Sequence, residues 1–188
     1  MILEFILHFV SYWGSVLYYD AKIEREAAKI CLLNQFTITA PLMYLFQDCY
    51  SVVEDPLWLS ITKLFAVINT SNLLFYATHR LLHHPSLYDQ IHSFHHSFVE
   101  PVAVSALYAH PVEHLVSNNL CFVLPVLFFR LEYDWVLLLM VFSTVNIVMA
   151  HSDITSNRSH RVHHRLYRYN YGFGDYLDKI FDTYKEIR

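Results

Sequence analysis

The sequence predicts an all-α fold, an integral membrane helical bundle with about four to five membrane helices. Three observations predict it. Hydrophobic residues make up 55% of the 188-residue chain and charged residues only 16%, where soluble domains carry roughly a quarter charged. The mean hydropathy is +0.28. Five long apolar runs, separated by short polar segments, are each near the ~20 residues needed to cross a hydrocarbon core.

Met1 to Tyr19 is the first run, with Glu4 and His8 near its start. It has no basic leader and no small-residue cleavage site, so it reads as an anchor helix and not as a cleaved signal. The second, 30–46, is interrupted at Pro41. The third, 57–78, runs straight into His79. The fourth and fifth, 112–129 and 135–150, form a hairpin across the turn 130–134. Asn34, Asn69, Asn72, Asn118, Asn119 and Asn146 lie within these runs and must face protein, because hydrocarbon satisfies no polar group. The chain shows no repeat and no low-complexity linker, and reads as one domain over 1–188.

Alternating helices put segments 20–29, 79–111 and 151–188 on one side. These hold Lys22, Arg25, Lys29, Arg80, Arg158, Arg161, Arg165, Arg168, Lys179, Lys185 and Arg188. The other side, 47–56 and 130–134, holds Arg130 alone among basic residues, with Asp48, Glu54, Asp55, Glu132 and Asp134. The excess of Lys and Arg marks the first side as cytoplasmic. Net charge is −4, and the basic residues form no nucleic-acid footprint. Cys31, Cys49 and Cys121 are isolated and read as buried small apolar side chains; without a Cys-x-x-Cys pair they suggest neither a disulfide framework nor a thiolate zinc site.

Histidine is the anomaly. There are 13, and all but His8 lie between 79 and 164, with every histidine cluster on the predicted cytoplasmic side. Three clusters stand out: His79-x-x-x-His83, His92-x-x-His95-His96 and His160-x-x-His163-His164. Spacings of three and four project imidazoles from one face of a helix. Helices that carry such pairs can converge on metal. Imidazole suits iron, zinc and copper, and eight ligands exceed one ion's coordination shell but fit two. A structural zinc site needs only four, so a two-metal, histidine-rich site at a membrane surface points to oxidation chemistry. His151, at the end of the last run, is positioned to reach the same site. His110 precedes Pro111 and is either the cap of a helix beginning there or a further ligand. Glu113 is either an orienting partner for a ligand ring or a first-turn helix acid. His8 and His84 read as ordinary satisfied residues.

Residues 70–188 resemble the fatty acid hydroxylase/sterol desaturase superfamily. The likeness rests on the three clusters, on Tyr108-Ala-His110-Pro-Val-Glu113, on His151-Ser and on Tyr169-Asn-Tyr-Gly172. It extends to the tail from Asp178 to Thr183. The third cluster and tail look most like alkylglycerol monooxygenase, and the Ala-His-Pro-x-Glu stretch more like methylsterol oxidases. The resemblance implies a cytoplasmic centre of two iron ions that hydroxylates or desaturates a lipid with dioxygen. Its ligands carry over to His79, His83, His92, His95, His96, His160, His163 and His164, with His151 and His110 at positions that some members use or retain near the metals. Three positions depart from the family pattern: Asn72 stands where Asp is frequent, Ala77 where Trp is, and Asp182 replaces the tail's final Gly.

These readings give the expected partners: a membrane, a lipid substrate (fatty acyl, sterol or ether lipid), dioxygen, and an external electron donor, either a reductase or a haem carrier. The endoplasmic reticulum is the expected membrane for a eukaryotic source. Phe65, Phe75, Tyr76, Phe122, Phe128 and Phe142 are candidates to line a lipid slot, and Arg161 and Arg165 to meet a headgroup. The alternative is a metal-binding or metal-transporting membrane protein without oxygenase turnover. Transport favours ionisable groups spread through the membrane depth, whereas these gather at one surface.

Overall fold

The computed structural model describes residues 2–20, 23–50, 55–152 and 159–186. Lys22, Glu54, Arg158 and Arg188 of the charge pattern lie outside the described residues. All five apolar runs fold as helices, and no strand forms among the described residues.

Helix α1 spans Ile2–Tyr19. Helix α2, Arg25–Asn34, continues without a break through a π-helical turn, Gln35–Thr39, into α3, Ala40–Phe46. Pro41 therefore does not interrupt this run. It sits in the first turn of α3, behind the π turn, where a missing N–H is tolerated. Helix α4, Leu57–Leu82, extends one turn beyond the apolar run, and His83 caps it. A short helix α5, Pro85–Tyr88, and two 3₁₀ turns, His92–Ser97 and Ala103–Leu107, cross the end of the bundle. Helix α6, Pro111–Glu113, passes through a second π turn, His114–Leu120, into α7, Cys121–Phe129. Arg130, at φ 53°, closes α7 in the left-handed region. Helix α8 then runs Tyr133–Ala150, followed by α9, Ser159–Leu166, and α10, Asp175–Ile180.

Among the described residues, three helices are long and apolar enough to cross a membrane: Leu57–Leu82, Pro111–Phe129 and Tyr133–Ala150. The expected four to five included α1 and the 30–46 run, which carry more polar groups: Glu4 and His8 in one, Asn34, Gln35 and Thr39 in the other. Helix α1 packs on α8 and α4 on α7. Outward-facing Phe65, Phe128 and Leu138 are 69, 79 and 63% exposed, the pattern of a bundle solvated by lipid. Cys31 and Cys121 are buried as expected, but Cys49 is exposed, because it lies in the 3₁₀ turn that ends the second run.

Several polar residues inside the bundle find internal partners. The indole N–H of Trp13 donates to Gln35 Oε1 at 2.9 Å, which fixes the orientation of that amide. Gln35 Nε2 then donates to His8 Nε2 at 3.3 Å, leaving His8 Nδ1 to donate to Thr144 Oγ1 at 3.2 Å. Thr144 donates onward to Met140 O. This chain joins α1, the first π turn and α8. Asn34 donates to Leu107 O and Ala109 O, and Asn72 accepts from Phe173 N. Asn69, Asn119 and Asn146 donate to carbonyls of their own helices.

Candidate metal centre

Nine of the ten candidate ligands converge at one end of the bundle, in two groups: His79, His83, His92, His96 and His163, and His95, His151, His160 and His164. Within each group the ligand nitrogens all lie within 4.8 Å of one another. The last turn of α4 presents His79 and its cap His83. The 3₁₀ turn supplies the second cluster, α9 the third, and His151 caps α8. The expectation of one shared face is corrected in detail. Residues four apart share a group (79 with 83, 92 with 96, 160 with 164), while His95 and His163 each cross to the other.

Five of these rings have a fixed tautomer. Nδ1 of His79, His95, His151, His163 and His164 lies 2.7, 3.0, 2.7, 2.7 and 2.8 Å from the carbonyl oxygens of Tyr171, Tyr108, Ile147, Tyr169 and Phe98. A carbonyl only accepts, so Nδ1 holds the proton and Nε2 presents a bare lone pair. Yet the Nε2 atoms crowd together. His83 and His96 each approach His163 at 3.1 Å, His92 meets His79 and His96 at 3.1 Å, and His160 meets His151 at 2.9 Å and His164 at 3.1 Å. His95 and His151, both bare at Nε2, stand 3.4 Å apart.

Protonation does not relieve the crowding. Burial, reinforced by the neighbouring rings, pushes His83 and His151 down to about 3, and burial alone does the same for His92. His95, His96, His160, His163 and His164 are lowered in the same direction, burial being the largest cause in each. Where both facing nitrogens are bare, as in His95 and His151, a cation between them would remove the lone-pair repulsion. The spacing fits one: bonds of about 2.1 Å put neighbouring nitrogens about 3.0 Å apart at a right angle and about 3.4 Å apart at a tetrahedral one. Both groups therefore have the donors and the spacing to hold a metal ion.

Glu113, 4% exposed, brings Oε2 to 2.9 Å from His92 Nδ1 without hydrogen-bond alignment. A carboxylate there favours a proton on Nδ1 and leaves Nε2 for the metal. His110 joins neither group. Its ring caps α6, with Nδ1 accepting from Val112 N at 3.2 Å. His84 caps α5 in the same way, and His114 is buried against Thr39 Oγ1 at 2.9 Å. Arg161 and Arg165, proposed for a headgroup, both pair with Glu100.

A cavity of about 510 Å³ opens onto His79, His95, His151 and His160 and reaches Tyr50, Val126 and Val136 at the opposite end of the bundle. Helix α8 lines it from Val136 to Ala150, with His151 beyond; at 1.5 Å per residue that is about 22 Å. Of the aromatics expected to line a lipid slot, Phe75, Phe122 and Phe142 do. Phe65 and Phe128 face outward, and Tyr76 is held by Thr183.

A family model described as fatty acid hydroxylase matches residues 63–183. The human fatty acid hydroxylase domain-containing protein 2 is 31% identical over 173 residues, 85% of this chain and 51% of that protein. A fatty acid hydroxylase of Mycosarcoma maydis is 35% identical over 119 residues, covering 61% of this chain and 31% of its own. Methylsterol monooxygenase 1 of Danio rerio is 31% identical over 180 residues, 82% of this chain and 60% of that one. The chain thus spans about half the length of the first of these curated relatives. No solved structure matches.

Proposed function

The chain belongs to the fatty acid hydroxylase family, and we propose that it is a membrane-bound, non-haem di-iron oxygenase that hydroxylates or desaturates a C–H bond of a lipid. One observation carries the reading: two adjacent sets of bare imidazole nitrogens stand at the head of a lipid-sized apolar cavity. Two ferrous ions, held by His79, His83, His92, His96 and His163 and by His95, His151, His160 and His164, would supply the activation of dioxygen. The protein's own part is positioning. The carbonyls of Tyr108, Ile147, Tyr169, Tyr171 and Phe98 keep Nδ1 protonated and Nε2 free, and Glu113 does the same for His92. The cavity walls exclude water and hold one stretch of the lipid against the histidine end.

The relatives' names supply fatty acids and methylsterols as lipid classes. Electrons would come from an external reductase or haem carrier. On the positive-inside pattern the centre faces the cytoplasm, at the endoplasmic reticulum membrane in a eukaryotic cell. The chain is read as a single domain, 1–188.

The test is metal analysis of the detergent-purified protein, paired with lipid profiling of cells expressing it. Expected are about two irons per chain and oxidised lipids that disappear in His163→Ala and His95→Ala. Stoichiometric zinc, no dioxygen consumption with any reductant, and a lipid inventory identical to that of the His95→Ala control would instead favour a metal-binding or metal-transport protein.

A further inference from the structure

Resting on the di-iron reading, we propose that Asp178 is a positioning residue that sets metal affinity at the five-histidine group and leaves the four-histidine group untouched. Its carboxylate is 1% exposed and touches no histidine. Oδ1 accepts from Tyr171 N at 2.8 Å and from Thr183 Oγ1 at 2.8 Å, and Oδ2 accepts from Gly172 N at 2.9 Å. Two consecutive backbone amides are thereby locked. The carbonyl of Tyr171, in the same locked stretch, is the one that holds His79 Nδ1 at 2.7 Å.

The surrounding residues give the hook its rigidity. A Cβ at Gly172 would come within 3.1 Å of Asp178 Oδ2 and 3.0 Å of Gly174 O, so glycine is what lets the carboxylate reach both amides. Asn170, at φ 59°, ties the same stretch to the following strand of chain through Lys185 N and O, while its own N–H donates to Thr183 O. The buried charge is offset through a directed chain. Arg80 donates to Tyr76 OH at 2.9 Å; because Thr183 Oγ1 gives its proton to Asp178, Tyr76 must donate to Thr183, also at 2.9 Å. Tyr76 and Arg80 belong to α4, the helix that presents His79. The hook and the ring it positions therefore share one support.

Selectivity follows from where the carbonyls come from. Segment 169–171 holds His79 and His163, both in the five-histidine group. The rings of the other group take carbonyls from Phe98, Tyr108 and Ile147, on other parts of the chain. Outer partners of metal-bound histidines typically set affinity by about 10- to 100-fold, and here that leverage reaches one ion of the pair.

The full chain in detergent is loaded anaerobically with ferrous ion, and iron retention is titrated against a ferrous chelator. Helix content and elution volume report the fold. Wild type should hold two irons; Asp178→Asn, which puts a donor against a backbone N–H, should release one of them about 10- to 100-fold more readily and keep the other unchanged. Thr183→Val, isosteric but without the donor, should show a smaller loss of the same iron, and Thr183→Ser should restore it. If Asp178→Asn does not fold, the Thr183 pair decides. Wild-type retention of both irons in the folded variants overturns the proposal, as does equal loss of both irons from a chain that stays helical. A wild-type chain that binds no iron refutes the di-iron reading, which is a distinct result.

Discussion

On the proposed function, substituting Leu139→Trp should shorten the lipid that is oxidised. Leu139 lines the cavity 12 residues before His151 and three after Val136, which lies at the floor. At 1.5 Å per residue, a Trp that seals the cavity at its own level raises the floor by about 4.5 Å, from about 22 Å to about 18 Å below the histidines. With carbon–carbon bonds of about 1.5 Å set in a zigzag, that is roughly three methylene groups. Each buried methylene is worth about 0.8 kcal/mol, so a lipid whose tail reached the floor loses about 2.4 kcal/mol of binding. If that binding is expressed at the transition state, kcat/KM falls roughly 60-fold, while lipids three methylenes shorter are spared. The assay is the length distribution of oxidised lipids in cells expressing wild type, Leu139→Trp, or Leu138→Trp as a control on the outward face (63% exposed). Iron content is measured in parallel. A lower yield with an unchanged length distribution would refute the ruler.

Four further outcomes are expected. His151→Ala should reduce bound iron from two toward one per chain, whereas His110→Ala should keep both irons and lose only a helix cap, about 1 kcal/mol in detergent unfolding. Gln35→Leu strands the buried His8 Nε2 and the half-buried Trp13 indole, and should cost about 1–3 kcal/mol in all, read by denaturant unfolding. Asp182 sits at φ 55°, so Asp182→Gly should raise stability by up to about 1 kcal/mol, seen as a higher Tm. Hydrogen bonds from Arg165 and then Arg161 hold the Glu100 carboxyl below the usual carboxylate range against an opposing effect of burial. That stabilisation is complete above the usual range and is lost as pH falls through the lowered value. Wild type should therefore melt slightly above Glu100→Gln at pH 7, and the two should converge only once the pH has fallen below the lowered carboxyl value.

The helices were legible because runs of apolar residues have no other way to satisfy their backbone in lipid. The histidine clusters were legible because their spacing is that of a helix face. Three things were not. The π turns at 35–39 and 114–120 leave no trace in apolar periodicity, and the first carried the helix past Pro41, where a break was expected. The atoms that fix the ring tautomers are backbone carbonyls, which every residue has, so nothing in the side chains of Tyr108, Tyr169 or Tyr171 announces them. His110 had the right neighbours for a ligand and for a cap, and the proline after it decided for the cap by starting a helix that needed one. The departures from the family pattern proved less disruptive than their chemistry suggested. Asn72 Oδ1 accepts from Phe173 N, a bond that needs only an oxygen. Asp182 adopts the left-handed conformation that a glycine there would take freely.

The division of the ligands explains why one of them comes from outside the clusters. In His-x-x-His-His the first and last rings are four apart and close over one position, while the fourth residue, adjacent to the last, projects away and reaches the neighbouring position. Each such motif therefore contributes to both groups. The first cluster, His79-x-x-x-His83, lacks the crossing residue and gives both rings to one group. Together with His92, His96 and the crossing His163, that group reaches five. The other receives only His160, His164 and the crossing His95, and His151 from the end of α8 makes the fourth. On the di-iron reading, the group with fewer ligands keeps more room for a reactant, as metal sites with an open position do. It is also the group that faces the cavity: His95, His151 and His160 line it, against His79 alone from the five-ring group. On the proposed di-iron reading, the asymmetry of the histidine motifs would put the reactive side of the centre at the group that His151 completes, and the anchoring side at the one that segment 169–171 supports.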